Sequence, residues 1–278
     1  METGLRVRWL TLHEHKDTWA NGASYDYYVG RWSKLVAHQF LAWLDVPSGS
    51  RWLDVGCGTG ILSQTILDVA SPQIVLGIDC SEKYIEFART KIVDPHVSFR
   101  LGDAQLLSVE SSAYYAAVSG LVLNFVPQPS QVVSEMVRAV RIGGIVAAYV
   151  WDYADKMYLI RYFWNAAVTL DKTAVALDEG QRFPLCQPEP LKQLFRTSAQ
   201  LKNIVIRAID VPTIFSNFDD YCSPFIRGQG PAPSYTMSLS DEQRVHLREY
   251  PKRCLPFASD GSVHLMARAY AIGGMRKD

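Results

Sequence analysis

The chain has 278 residues, which at roughly 100 to 200 residues per domain allows one large domain or two small ones around a sizeable core. Its 28 Lys and Arg balance 28 Asp and Glu, and 48% of residues are hydrophobic. Disorder over most of the chain is excluded, and the even charge argues against attachment to nucleic acid or anionic lipid through a basic surface. The longest uncharged stretch, Ser111 to Ser134, is interrupted by Asn124, Pro127, Gln128 and Pro129, so no membrane span is expected. Glu2, Arg6 and Arg8 without an apolar run argue against a secretory signal. Five cysteines without a CxxC pair predict neither a disulfide framework nor a metal site, and a reducing, cytoplasmic setting is expected.

In chain order, Trp32, Leu35, Val36, Phe40, Trp43 and Leu44 form the apolar stripe of a helix that Pro47, Ser48 and Gly49 stop. Arg51 to Val55 reads as a strand, Gly56 to Gly60 as a turn, and Ile61 to Val69 as a helix. Ile74 to Ile78 is a fully apolar strand ending on Asp79, and Ser81 caps a helix to about Ile92. Strands follow at Val97 to Leu101 and Ala116 to Val122, then a helix from Pro129 through Val140, a Gly143-Gly144 stop, and a strand from Ile145 to Trp151. This alternation predicts an open parallel sheet with helices on both faces. After Asp152 come a helix near Met157 to Leu170, a proline-punctuated turn, and strands at Asn203 to Ile214 and Val263 to Ile272. The aromatic-rich residues 216–260 between those strands read as a lid.

The turn Leu53-Asp54-Val55-Gly56-Cys57-Gly58-Thr59-Gly60 stands where a strand enters a helix, at the edge where open α/β sheets bind ligands. Glycine allows a tight turn and close backbone approach, and the helix start offers free NH donors. The dinucleotide fingerprint needs a sixth-place glycine, and Ile61 stands there, which lowers the odds of a pyrophosphate ligand. Asp79 at the next strand end suits two ribose hydroxyls, and Asp103 at the one after suits an exocyclic amine of adenine. Together these strand ends describe an adenosine with a short polar tail.

LDVGCGTG, GIDCSEKYIEFA, RLGDAQLL and the GG after the last helix of this region make the chain resemble the class I S-adenosylmethionine-dependent methyltransferases. Among them it is similar to the quinone-biosynthesis C-methyltransferase-like group, chiefly over residues 51–152. The resemblance implies an α/β, doubly wound, mostly parallel seven-stranded Rossmann-like sheet with an N-terminal helical cover and a C-terminal lid insertion. It implies one domain, with a cover over 1–49, a cofactor core over 50–152, and acceptor-enclosing insertions at about 153–200 and 216–260. S-adenosyl-L-methionine is the implied cofactor. Gly56, Gly58 and Gly60 then wrap the methionine, Asp79 with Cys80 beside it holds the ribose, Asp103 and Ala104 hold the adenine, and Ser119, Gly120 and Leu121 line the methionine end. The segment from Tyr25 to Trp32 resembles the entry segment that covers the cofactor, and Arg31 becomes the candidate for the methionine carboxylate.

Asp54 has two readings, a water-mediated contact to the ligand's amine or a structural tie within the loop. Asp152 is the best placed carboxylate for a general base, and Tyr28 is a second candidate catalytic residue. Tyr28, Trp32, Trp151, Tyr153, Phe163 and Trp164 line an acceptor pocket or belong to the ordinary core. The His13 and His15 pair lacks a nearby cluster that would make it a metal site. The expected reaction is methyl transfer to a small, partly apolar acceptor by a monomer or homodimer, with neither nucleic acid nor membrane as partner. The competing classes are an NAD(P)-dependent oxidoreductase on a similar sheet and a non-catalytic S-adenosylmethionine-binding protein.

Overall fold

The structure, a computed structural model, describes residues 30–227 and 230–278. Tyr28, with the rest of its aromatic segment through Val29, and the His13 and His15 pair lie outside the described residues. Helix α1 (Arg31–Leu44) turns Val36, Ala37, Phe40 and Leu41 inward, as its apolar spacing predicts. There follow β1 (Arg51–Val55), α2 (Ile61–Ala70), β2 (Ile74–Asp79), α3 (Glu82–Lys91) and β3 (Val97–Leu101). Ser81 caps α3 by accepting from the Tyr84 NH at 3.4 Å. The chain continues through β4 (Tyr114–Gly120), α4 (Pro129–Ala139) and β5 (Val140–Trp151), and ends with the long hairpin of β6 (Leu201–Phe215) and β7 (Val263–Arg276).

The seven strands lie in the order β3-β2-β1-β4-β5-β7-β6. The first five are parallel, and β7 runs antiparallel to both β5 and β6. Strand β1 leads outward to β2, whereas β4, its other neighbour, leads the opposite way to β5. Right-handed crossovers therefore place α2 and α4 on opposite faces, and the carboxyl ends of β1 and β4 flank the point where the winding reverses. Alanines and glycines along the β5 and β7 pairing keep the sheet thin there: Ala147 faces Gly273, and Trp43 of α1 packs beside Gly273.

Several boundaries differ from the sequence expectation, β7 running on to Arg276 among them, and two have a clear local reason. Strand β4 ends at Gly120 because Leu121 adopts a positive φ of 63°, its NH meeting the Tyr149 carbonyl at 2.8 Å. The Gly143-Gly144 pair does not stop the preceding helix, which ends at Ala139 as Val140 turns extended. Both glycines sit inside β5, where a Cβ on Gly144 would lie 2.4 Å from the Tyr115 carbonyl oxygen. The β4 and β5 register slips between Tyr114 and Ala116 at the same place.

The insertion after β5 holds α5 (Tyr158–Leu170), the short α6 (Glu179–Arg182) and α7 (Pro188–Arg196). The one between β6 and β7 holds α8 (Phe218–Arg227), α9 (Pro231–Ser238) and α10 (Asp241–Cys254). Phe163 stacks on Phe225 at 4.4 Å, and Trp164 meets Tyr235 at 5.6 Å, so these two rings cement the second insertion to α5 and serve as core. Trp151 is likewise fully buried. Among the described residues no helix is long and apolar enough to cross a membrane.

Gly144→Ala is expected to cost about 1 to 3 kcal/mol, because its methyl meets backbone that cannot retreat. Gly143→Ala faces open space at φ 74° and is expected to cost about 1 to 2 kcal/mol from backbone strain alone. Urea unfolding of the two variants compares these costs.

Candidate active site

The glycine turn is built from three left-handed residues, Gly56, Gly58 and Gly60, with φ of 74°, 52° and 83°. A Cβ on Gly56 would strike Val122 at 2.4 Å, and one on Gly60 would strike Ile92 at 2.5 Å, while Gly58 faces open space. The turn is anchored from the next strand. The Gly56 and Cys57 NH groups both donate to the Ile78 carbonyl, and the Gly58 NH donates to Asp79 Oδ2 at 2.9 Å. Asp79 Oδ1 accepts from the Ser81 NH at 2.8 Å. Each oxygen of Asp79 thus uses one lone pair on backbone and keeps another, and burial raises its pKa. Cys80 beside it is exposed.

Beneath the turn, Asp54 is 1% exposed. Ser63, in the first turn of α2, donates to its Oδ2 at 2.7 Å, whereas Oδ1 is buried with no partner. Burial, opposed by the Ser63 bond, pushes this carboxyl up to about 7, and the negative charge of Asp79 adds to the rise. Across the site Tyr149 approaches Gly120 so closely that a Cβ there would lie 2.6 Å from its hydroxyl. That hydroxyl is 3.5 Å from Ser33 Oγ of α1, and burial raises the pKa of Tyr149. Ser119 donates to the Val55 carbonyl at 2.8 Å, so its side chain ties β4 to β1.

Asp103 is exposed at the end of β3 and accepts from the Gln105 NH at 2.8 Å, which folds the loop back on itself. Ala104 follows half-buried, and Leu106 stands 73% exposed beside them. Glu135 and Arg138 of α4 pin this loop. Glu135 accepts the Leu107 NH, and Arg138 donates to the Leu107 and Val109 carbonyls.

Arg31 lies at the start of α1 but reaches toward the lid. Its guanidinium pairs with Asp220 of α8 at 3.2 Å and sits over the Trp32 and Phe215 rings. Asp152 is buried at the carboxyl end of β5, where it accepts from the Asp155 NH at 3.1 Å and the Tyr270 hydroxyl at 3.2 Å. Burial raises its pKa against those two bonds. Tyr153 packs on Phe183, and Phe183 on Phe125, at centroid distances of 5.7 and 5.0 Å. The sequence reading passed over Ser63 and Tyr149. A serine on the inner side of the first turn of α2 was a signal for the former, and a lone tyrosine in the apolar run of β5 for the latter.

Two cavities of about 480 Å3 lie elsewhere, one around Phe218 and Arg248 on the insertion helices and one around Pro95 and Phe99 at the β3 edge. Neither shares a residue with the glycine turn. The polar chemistry, not the cavity size, marks the site. Among the described residues no cluster of three His, Cys, Asp or Glu side chains is arranged to hold a metal ion.

A carboxyl whose pKa is higher in the fold than in the unfolded chain keeps its proton longer when folded, so it makes stability fall as pH rises from about 4 through 7. Asp54→Asn is expected to flatten that fall, measured as the midpoint of urea unfolding from pH 4 to 8. A slope identical to that of the parent chain would contradict the assignment.

The family described as "Methyltransferase domain" matches residues 53–148, which contain the glycine turn, Asp79 and Asp103. A ubiquinone biosynthesis O-methyltransferase of Thiobacillus denitrificans is 35% identical over 43% of this chain and 53% of its own length. The quinone-biosynthesis relatives matched are named for O-methylation, and the chain spans about half of their length. Trans-aconitate 2-methyltransferase of Variovorax paradoxus is 24% identical over 81% of this chain and 86% of its own. Phosphoethanolamine N-methyltransferase 2 of Haemonchus contortus, solved with S-adenosylhomocysteine, shares the fold at a TM-score of 0.59, with 14% identity over 92% of this chain and 57% of that one. The methyltransferase-domain match over residues 53–148, the sheet order, the three-glycine turn and the two strand-end carboxylates together make the chain similar to the class I S-adenosylmethionine-dependent methyltransferases.

Proposed function

We propose that this chain transfers the methyl group of S-adenosylmethionine to a small, partly apolar molecule. One observation carries the reading: the glycine turn closes over a buried carboxylate, Asp54, with one oxygen left without a donor. A buried acceptor of this kind costs about 1 to 3 kcal/mol unless something donates to it, and the ammonium of the cofactor's methionine is the donor that this family brings. Asp79 keeps one lone pair per oxygen for the two ribose hydroxyls. Asp103 and the Ala104 NH take the adenine edge, with the exposed Leu106 beside its ring. Gly56, Gly58 and Gly60 let the backbone approach the methionine, and Gly120 lets the Tyr149 hydroxyl close in beside it. Arg31, which pairs with Asp220 through one guanidinium nitrogen, is the candidate partner of the methionine carboxylate.

The cofactor supplies an electrophilic methyl carbon on a sulfonium. The chain supplies alignment, which in favourable cases is worth roughly 7 to 11 kcal/mol, and exclusion of water. The turn after β4 and the insertions at about 153–200 and 216–260 enclose the acceptor in this reading. Asp152 is the candidate base, and Tyr270, donating to its Oδ2, holds it in place. The same reading makes residues 1–278 one methyltransferase domain, working in the cytoplasm as a monomer or homodimer on a diffusible acceptor. The oxidoreductase alternative loses its ground, because the matched family and the named relatives are methyltransferases and the sixth place of the turn is Ile61.

Calorimetric titration with S-adenosylhomocysteine is expected to show micromolar binding, about −8 kcal/mol, with no response to NADH. Asp79→Ala is expected to abolish it. Asp152→Asn is expected to leave it unchanged while lowering turnover about 100-fold or more once an acceptor is in hand. Failure of the parent chain to bind S-adenosylhomocysteine would overturn the reading.

A further inference from the structure

Beyond the cofactor cradle, the turn after β4 carries a second unsatisfied group. Asn124 has both side-chain atoms, Oδ1 and Nδ2, buried and without a hydrogen-bond partner. Among the described residues it is the one carboxamide left in that state. Asparagine in a turn usually bonds nearby backbone with its side chain. Asn217 does so here, accepting from the Asp220 NH at 2.9 Å. The Asn124 turn closes without its amide, through the Phe125 NH and the Val122 carbonyl at 2.8 Å. Its amide therefore contributes nothing to the local fold and costs the protein the desolvation of a donor and an acceptor.

The surroundings say what the group is for. Val122, two residues earlier, lies against Gly56 of the cofactor cradle. Phe125, one residue later, packs on Phe183, which reaches Tyr153 at the end of β5. The turn thus bridges the methyl-donor side and the aromatic wall of the first insertion. It is set there by the positive φ of Leu121, a strained conformation for a residue with a side chain.

We propose that Asn124 is a specificity-determining residue that recognises the methyl acceptor through a donor and an acceptor on neighbouring atoms. An ortho-hydroxycarbonyl, a lactam or a primary amide on an apolar body satisfies both Oδ1 and Nδ2. A carboxylate offers acceptors only and an amine donors only, and each leaves one half of Asn124 unpaired. This rests on the methyltransferase reading and names the acceptor chemistry for the same site.

The test uses the full chain loaded with S-adenosylhomocysteine and two bicyclic probes, quinolin-2-one, with N–H beside C=O, and 2-naphthoate, with acceptors alone. Quinolin-2-one is expected to bind more tightly than 2-naphthoate, to shift the Asn124 side-chain NH2 signals in a nitrogen-15 spectrum, and to weaken about tenfold or more in Asn124→Leu. The same substitution removes two buried unpaired atoms, so it is expected to raise the melting temperature of the ligand-free chain by about 2 to 4 °C. Equal affinity of quinolin-2-one for Asn124→Leu and the parent, a preference for 2-naphthoate, or a lowered melting temperature overturns the proposal. Binding of S-adenosylhomocysteine without binding of quinolin-2-one also overturns it while sparing the methyltransferase reading. Loss of S-adenosylhomocysteine binding by the parent chain overturns both.

Discussion

The structure turns on one hydrogen bond between neighbouring strand ends, from the Gly58 NH to the Asp79 carboxylate. A chain leaving β1 must reverse into α2 within five residues, and three glycines at positive φ make that reversal without steric penalty. Left alone, such a run has many conformations. Asp79 selects one of them and leaves the first NH groups of α2 directed outward at the sheet edge. The closeness of Val122 to Gly56 and of Ile92 to Gly60 locks the turn from both sides, so the turn is part of the packing and does not hang from it.

The site holds its polar groups at a cost to stability. Asp54 sits sealed with a free oxygen, Tyr149 buries a hydroxyl against Gly120, Leu121 takes a conformation that a side chain resists, and Asn124 leaves an amide unpaired. Each runs against what folding alone favours, and all four lie at or next to the carboxyl ends of β1, β4 and β5. Local violations gathered at the point where the sheet winding reverses fit the ligand site proposed there. Elsewhere some buried atoms also lack a partner, Trp52 Nε1, Arg161 Nε and Thr213 Oγ1 among them, while two ion pairs are well formed. Arg268 forks onto Asp210, and Arg161 forks onto Asp178, which also caps α6.

Much of this was legible beforehand. The β1 and β3 boundaries, the capping Ser81 and the three-glycine turn follow from periodicity and from the steric privilege of glycine, both of which are local. What escaped was decided by distant partners. The Gly143-Gly144 pair reads as a helix stop, yet it serves a close approach between β5 and the Tyr115 backbone. Arg31 reads as a carboxylate clamp, and only the position of α8 reveals Asp220 beside it. Phe163 and Trp164 carry the same spacing whether they line a pocket or fill a core, and the packing of α8 and α9 makes them core. Asn124 lacked any pattern, since a hydrogen bond made or missing depends on what lies across the fold.

The central claim is that the free oxygen of Asp54 is completed by the ligand's ammonium. An ammonium beside this carboxyl lowers its pKa from about 7, so binding at pH 7 must drive off the proton that Asp54 partly holds. Titration of S-adenosylhomocysteine at pH 7 in buffers of different ionisation enthalpy measures that proton directly. The account predicts net proton release on binding by the parent chain and none from this source in Asp54→Asn. Binding heats independent of buffer, or the same release from both proteins, would contradict it.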